Sequence, residues 1–581
     1  MSTTSTQSED WMVSGEGHPK RWGILGVLVV SLLIVVLDST VLNIALPTIQ
    51  EDLEATQSQL VWSVDSYVLV FASLLFTWGV LGDRYGRRRV LVIGLVVFGA
   101  ASLVSAFSAT PEMLILSRAV MGVGGAAVMP TTLAIITVVF PPHERGRAIG
   151  AWAGAVGAAV ALGPVLGGIL LEHPEWSSWL TGNDWGAVFL INVPVVILGL
   201  IGVYWLVPET RNPHPAKLDI IGLILSFVGL VLVVYGIIHA SAENAWLVAP
   251  VLAPILVGVA IIIAFLFYEA KSSHKSFDVG LFKNRGYAVA IAAVSLTFFA
   301  MQGIFFSLPF FFQTLRGMST LQTGLAFLPF AVGQFLAAPS SGRLVERFGY
   351  RLVMGSGLVL VALALGIMGQ IQIDTPLWLL LLIFFLFGSG MGLMIAPGTS
   401  LMQNVLPLAR AGVGSAVQNT VRQVMGALGI AIMGTILGTY YATNILPVLE
   451  PLGSEFPTVI AEESVVATDK ALTGVEAQTG QNLEVVRSSA YEVYLNGAHL
   501  TMWISGAVVV VAFLILVIGL PKIEPPRAGD RAPSDTWDEP EAVTQDAILA
   551  EQGLTSPDPA DQEPDAPGES PPEPERPPDS A

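Results

Sequence analysis

Between Trp22 and Leu520 the chain keeps returning to apolar runs of about twenty residues, the length a helix needs to cross the hydrocarbon of a bilayer. A backbone inside lipid must satisfy its own N–H and C=O groups, which helices do and open strands do not. Fourteen such runs are predicted, at about 22–46, 60–81, 90–107, 113–137, 148–171, 187–207, 218–239, 245–267, 288–312, 324–341, 352–368, 377–397, 413–439 and 500–520. The first is expected to stop at Pro47. Charged residues make up 12% of the chain, where a soluble domain carries about 25%. The expected fold class is therefore an all-α, multi-pass membrane protein.

One turn organises the runs. Gly79-Val80-Leu81-Gly82-Asp83-Arg84-Tyr85-Gly86-Arg87-Arg88-Arg89 packs four basic residues between two apolar stretches. Gly79, Asp83, Arg84, Gly86 and Arg88 recur as Gly342, Glu346, Arg347, Gly349 and Arg351 at a constant offset of 263 residues. Matched glycines and charges in register predict two related halves of one membrane body. Spans 1–6 then answer spans 9–14, and spans 7 and 8 read as an inserted pair. The expected organisation is a lead at 1–21, a six-helix bundle at 22–210, the inserted pair with its linker at 211–285, a second bundle at 286–520 holding an outer loop at 441–497, and an acidic tail at 521–581. The tail is rich in Pro, Glu, Asp and Ser and should not bury a core. Within the outer loop, Thr458–Val475 has the period of an amphipathic surface helix.

Basic residues stay on the cytoplasmic face. With both termini inside, 22 Lys and Arg are cytoplasmic, two lie within the membrane (Arg118, Arg422) and three lie outside (Arg316, Lys470, Arg487). The net charge of −18 misleads. The tail holds 16 acids and 4 bases, the outer segment Tyr441–Asn496 holds 8 acids and 2 bases, and the remaining membrane body is neutral. That body offers no basic face to nucleic acid. The chain has no Cys, which removes disulfide and thiol chemistry. No phosphate loop, metal cluster or nucleophile triad is visible, so no cofactor, metal or enzymatic reaction is expected and the energy source must be a gradient.

The chemistry sits in the polar residues that the spans carry into lipid. Asp38 in span 1 and Arg118 in span 4 both lie roughly 10–14 Å below the outer surface, by the helical rise. Charges there need an interior cavity or a partner, and the matched depth allows an ion pair. A carboxylate in such a place can load and release a proton, and a bound cation would compete for it, which is the minimum chemistry of an antiporter. Asp65 in span 2 is shallower and is placed at the entrance. Gln418, Asn419, Arg422 and Gln423 form adjoining polar stripes on span 13, expected to face the cavity. Trp62, Met301, Gln302, Phe305, Phe306 and Gln334 are candidate lining, since aromatic and Met surfaces suit bulky apolar cations. In span 5, Gly157, Gly163, Pro164, Gly167 and Gly168 predict a close-approach surface bent at the proline, suited to rocking or sealing.

These residues resemble a known family. Gly79–Arg89 resembles the loop 2–3 signature of the major facilitator superfamily, and Leu37–Pro47 the span-1 motif of its fourteen-span drug:proton antiporter branch. Arg118–Ala126 is similar to the span-4 motif tied to proton coupling, Gly157–Gly168 to the span-5 antiporter motif, and Phe189–Pro194 also matches. The segment at Glu462-Glu463-Ser464-Val465-Val466 resembles the corresponding loop of quaternary-ammonium exporters. The resemblance implies a major-facilitator fold exporting amphipathic, often cationic compounds on proton entry. It implies coupling roles for Asp38 and Arg118. It also implies that Asp83 and Arg87 or Arg88 help control the inner gate by charge contacts between helix ends; Gly79, Arg84 and Gly86 of the same turn, with Glu346 and Arg347 at the repeated positions, are the further gating candidates. Some exporters of divalent cations carry extra carboxylates in the second half; here Gln334, Gln418 and Asn419 stand in those places, which favours monovalent cationic or neutral substrates. The expectation is thus a monomeric plasma-membrane antiporter whose partners are a small-molecule substrate, protons and lipid. A dedicated exporter of one metabolite or antibiotic, and a non-transporting sensor or docking protein, are the alternatives.

Overall fold

The computed structural model describes residues 17–211, 219–242, 245–272, 279–405, 411–452, 456 and 463–521, and every regular element among them is helical. The chain enters α1 (Arg21–Leu53), α2 (Gln57–Tyr85), α3 (Arg87–Ala106), α4 (Pro111–Val139) and α5 (Pro142–Glu172). A short turn, Ala187–Leu190, leads into α6 (Asn192–Leu206). The pair α7 (Ile220–Ala242) and α8 (Ala249–Lys271) precedes α9 (Arg285–Phe310), α10 (Thr320–Met368), α11 (Leu377–Asn404), α12 (Ala411–Leu449), α13 (Val465–Thr479) and α14 (Glu484–Gly519). Local sequence sets several of these starts. Thr56 with Gln59, and Ser319 with Gln322, form reciprocal capping boxes at α2 and α10. Thr110 caps α4 with Pro111 in the first turn, where the missing N–H costs nothing.

Twelve described helices are long and apolar enough to cross a membrane. The fourteen expected runs meet this set on two points. Spans 10 and 11 fall in the single 49-residue element α10, which breaks at Gly349. Span 5 falls in the 31-residue α5, where the continuous described apolar stretch is Leu162–Glu172. Other boundaries move. Helix α1 runs through Pro47 to Leu53 and closes at Glu54, whose left-handed backbone (φ 50°) turns its N–H back to Gln50 O. A proline removes one ladder bond, and packing on both sides of the helix holds the rest. The surface helix lies at Val465–Thr479, later than expected, and Thr458–Glu462 fall outside the described residues. So do the lead Met1–Glu16 and the tail Lys522–Ala581.

The repeat is visible in the backbone. Gly86 (φ 112°) separates α2 from α3 and Gly349 (φ 79°) breaks α10, at the paired positions of the two basic turns. Side chains with a Cβ avoid these angles, so the repeated glycines place the same sharp turn in each half.

Helices α1–α6 pack among themselves, as do α9–α12 with α14. The seam between the groups is made by α5 against α10 and α2 against α12. Helix α7 lies against both α2 and α12, so the α7–α8 pair sits at the seam. The two ends of the seam differ. At the end carrying α13, here the cap end, Gln313 Nε2 donates to Ile44 O (2.9 Å), Thr320 Oγ1 donates to Gly168 O (3.1 Å) and Lys470 pairs with Glu54 (3.1 Å). A methyl group on Gly168 would lie 2.7 Å from Leu321 Cα, and one on Gly324 would overlap Pro164. At the opposite, basic end, Gly342 and Gly349 face open space.

Candidate functional site

Asp38 is one-hundredth exposed, and so is Arg118. Both lie in helices, α1 and α4, that are apolar on nearly every other face, so each charge has only the bundle interior to turn to. Arg118 Nη1 donates to Asp38 Oδ2 in a direct ion pair. Asn192 Nδ2, in the first turn of α6, donates to Asp38 Oδ1 (2.9 Å) and to Ser102 Oγ of α3 (2.9 Å). Ser102 Oγ in turn donates to Phe189 O (2.9 Å). Arg118 Nε donates to Ser63 O of α2 (3.2 Å), and the guanidinium lies 4.4 Å from the Tyr67 ring centroid. Five helices, α1, α2, α3, α4 and α6, thus converge on one ion pair. The pair is sealed inside the first helix group and faces a partner, where the sequence allowed either a cavity or a partner. A buried pair is costly to desolvate and costs more still to break.

Asp65 corrects the expectation of an entrance residue. It is fully buried, and neither carboxylate oxygen has a hydrogen-bond partner. Ser66 donates to Ile115 O of α4 (3.1 Å) and Tyr67 covers Arg118, so these two face the first group. Asp65 looks the other way. Val61, one turn before it, packs against Gly434 of α12, where a methyl group would lie 2.7 Å away. Asp65 is therefore on the seam.

On α12, Gln418 is buried and donates to Thr399 Oγ1 (2.9 Å), while Asn419 is half-buried. Arg422 is half-buried and stacks over Phe298 of α9 (4.9 Å). No hydrogen bond or ion pair reaches it among the described residues, and its Nε is buried without a partner. Such a charge costs on the order of 3 kcal/mol in a membrane. Gly426, one turn on, lies against Gln302 (3.2 Å from an added methyl). Trp62, Met301 and Gln334 are half-buried. Phe305 lies 4.9 Å from Phe330 and 5.2 Å from Phe327, and Phe306 is buried, so both belong to packed ring clusters within the second group.

The basic turn is tied down within its own group. Arg87 pairs with Asp83 (2.8 Å) and reaches Ala134 O of α4 (3.2 Å). Arg88 donates to Tyr204 O (2.7 Å), and its backbone N–H donates to Glu209 Oε1 (3.2 Å), a carboxylate beyond the end of α6. Gly86 closes against the same Glu209 carboxylate, and Gly79 lies near Pro130. Arg84 is exposed above Tyr85. Glu346 and Arg347 make no ion pair among the described residues, while Arg351, at the end of the same turn, donates to Leu520 O and the buried Tyr350 hydroxyl accepts from Asn404 Nδ2 (2.9 Å). In α5, Gly163 meets Thr40, Gly167 meets Val41 and Gly168 meets Leu321, so Gly163, Pro164, Gly167 and Gly168 all lie at contacts with α1 or α10. The surroundings of Gly157 lie outside the described residues.

Sequence reading missed four participants: Ser63, Tyr67, Ser102 and Glu209. Asn192 stood only as part of a motif. A signal existed for Ser102 and Asn192, since polar groups in apolar runs need partners. Ser63 acts through its backbone carbonyl, which no side-chain pattern reveals.

The sequence profile described as "Major Facilitator Superfamily" matches residues 28–430. The multidrug efflux pump LfrA of Mycolicibacterium smegmatis is 33% identical over 459 residues, covering 79% of this chain and 87% of the relative. The tetracenomycin C resistance and export protein of Streptomyces glaucescens is 30% identical over 528 residues, covering 89% of this chain and 94% of the relative. Among solved structures, an inward-facing, unoccupied bacterial homologue of the human lysosomal transporter Spinster aligns with a TM-score of 0.62 at 17% identity, covering 86% of this chain and 97% of the other. That likeness concerns the fold alone.

Proposed function

The chain belongs to the Major Facilitator Superfamily, and from that premise we propose that it is a proton-coupled antiporter exporting amphipathic small molecules across the plasma membrane. The observation that carries the coupling reading is the sealed Asp38–Arg118 pair, held by Asn192 at the meeting of five helices. Protonating Asp38 removes the charge that holds Arg118, so the pair parts and α1 can shift against α4. The relatives described as efflux and export proteins support the direction of transport. Positive residues retained inside put the basic end at the cytoplasm, with both termini there and α13 outside. The contacts of α5 with α10, and of α2 with α12, then close the outer side, and export requires them to open while the basic turns approach each other. Spans 1–6 and 9–14 act as the two rocking bundles, working as a monomer. Asp65 and the α12 stripe line the substrate path. The lack of a carboxylate at Gln334, Gln418 or Asn419 disfavours dications and leaves monovalent cationic or neutral compounds.

The test is efflux of a fluorescent amphiphile from vesicles under an imposed pH gradient. Wild type pumps and collapses the gradient, and Asp38→Asn does neither. An Asp38→Asn protein that pumps at the normal rate defeats the coupling mechanism. The tetracenomycin C relative favours a second reading, an exporter dedicated to one metabolite or antibiotic, which a narrow resistance profile would reveal.

A further inference from the structure

Arg422 is the charge that the coupling reading leaves without a task. It lies eleven residues into α12 from Ala411, about 16 Å from that helix's basic end and so at membrane depth. Phe298 of α9 covers one face of its guanidinium, and Gln302 lies one turn along the same pairing of helices. The helices packed against α12 are α2, α7, α9, α11 and α14. Within their membrane-spanning parts the one acid is Asp65, and it is not a counter-ion. Val61 marks Gly434 as its level on the antiparallel α12, so Asp65, a turn further in, lies about 12 Å from Arg422 along the bundle. A guanidinium with a shielded flat face, a buried Nε and no anion is a fork set for two parallel bonds to a planar oxyanion.

We infer that Arg422 receives one acidic group of the exported compound, a carboxylate attached to an aromatic body that extends over Phe298. The inference rests on the transport reading and narrows its substrate class. Among neutral compounds it selects amphoteric ones, whose acidic group meets Arg422. It also explains why the α12 stripe places Gln418 and Asn419, and no acid, beside Arg422: a carboxylate there would neutralise the fork.

The probes are a rhodamine with a free benzoate and its methyl ester, which differ in that one charge. The full chain in proteoliposomes should export the acid with a KM about tenfold or more below that of the ester. Arg422→Gln should bring the acid-to-ester ratio close to one, and Arg422→Lys, which keeps the charge but loses the fork, should fall between. A ratio near one in wild type, or one that Arg422→Gln leaves unaltered, overturns the proposal. If Arg422→Gln does not assemble, the wild-type ratio and Arg422→Lys decide. Failure of the transport reading looks different, because neither dye moves in wild type. Fluorescence anisotropy of the two dyes with detergent-solubilised protein then still measures the preference for the acid.

Discussion

Replacing Arg118 by methionine should cost the folded protein about 3–5 kcal/mol, the penalty for leaving one member of a buried ion pair alone. The structure says why the full penalty applies. Asp38 is sealed, and without Arg118 it keeps a single hydrogen bond, from Asn192 (2.9 Å). Ser63 O loses its donor and Tyr67 loses the cation on its face. For a chain of 581 residues the loss corresponds to a drop of roughly 2–4 °C in the melting temperature. The double variant Asp38→Leu with Arg118→Met removes both charges and replaces them with apolar volume, so most of the loss should return. Melting curves of the four proteins in one detergent give the cycle, and an interaction above about 2 kcal/mol is expected. Single variants that each shift the midpoint by under about 1 °C, or losses that simply add, would refute the reading of Asp38–Arg118 as one buried unit.

Asn192→Leu strips a buried carboxylate oxygen of its donor and should cost about 1–3 kcal/mol, more than Ser102→Ala, which leaves Asp38 fully bonded; the same melting assay ranks them. Gly168→Leu forces a side chain into the backbone of Leu321 and should favour the state with the cap end open. Because the chain has no Cys, a single Val61→Cys placed opposite Gly434 reports this directly, as maleimide labelling several-fold faster in the Gly168→Leu background. The cap helix α13 should loosen in acid. Arg487 and the Leu483 N–H both donate to Glu476 and hold its carboxyl below the usual range. A lowered value means the stabilisation is fully present above about pH 4.3 and is lost as pH falls through the folded value. Proteolysis within 465–484 should therefore speed up between neutral pH and about pH 3, and Glu476→Gln should weaken that dependence without removing it, since Arg487 also pairs with Asp469 (2.8 Å) and Glu484 (3.2 Å).

The apolar runs of about twenty residues, the offset of 263 between two glycine-marked basic turns, and the need of Asp38 and Arg118 for company were all legible in the chain itself. Each is a one-dimensional constraint: length against membrane thickness, spacing within a turn, charge against lipid. Gly86 and Gly349 show how far this reaches, since a glycine at the same place in each basic turn admits the positive φ found at both. Other facts needed three dimensions. That Asp38 turns to Arg118 and Asn192, inside one helix group, depends on how α1, α4 and α6 are rotated about their own axes. That Asp65 is covered, where an entrance residue would be open, depends on α12 closing over it. The solitude of Arg422 is a property of every helix around it, and no stretch of its own neighbours could announce it. Local sequence decides where a helix starts, bends and meets lipid, because those are short-range free energies. Which polar groups are paired and which are left facing the seam follows from the packing of distant helices.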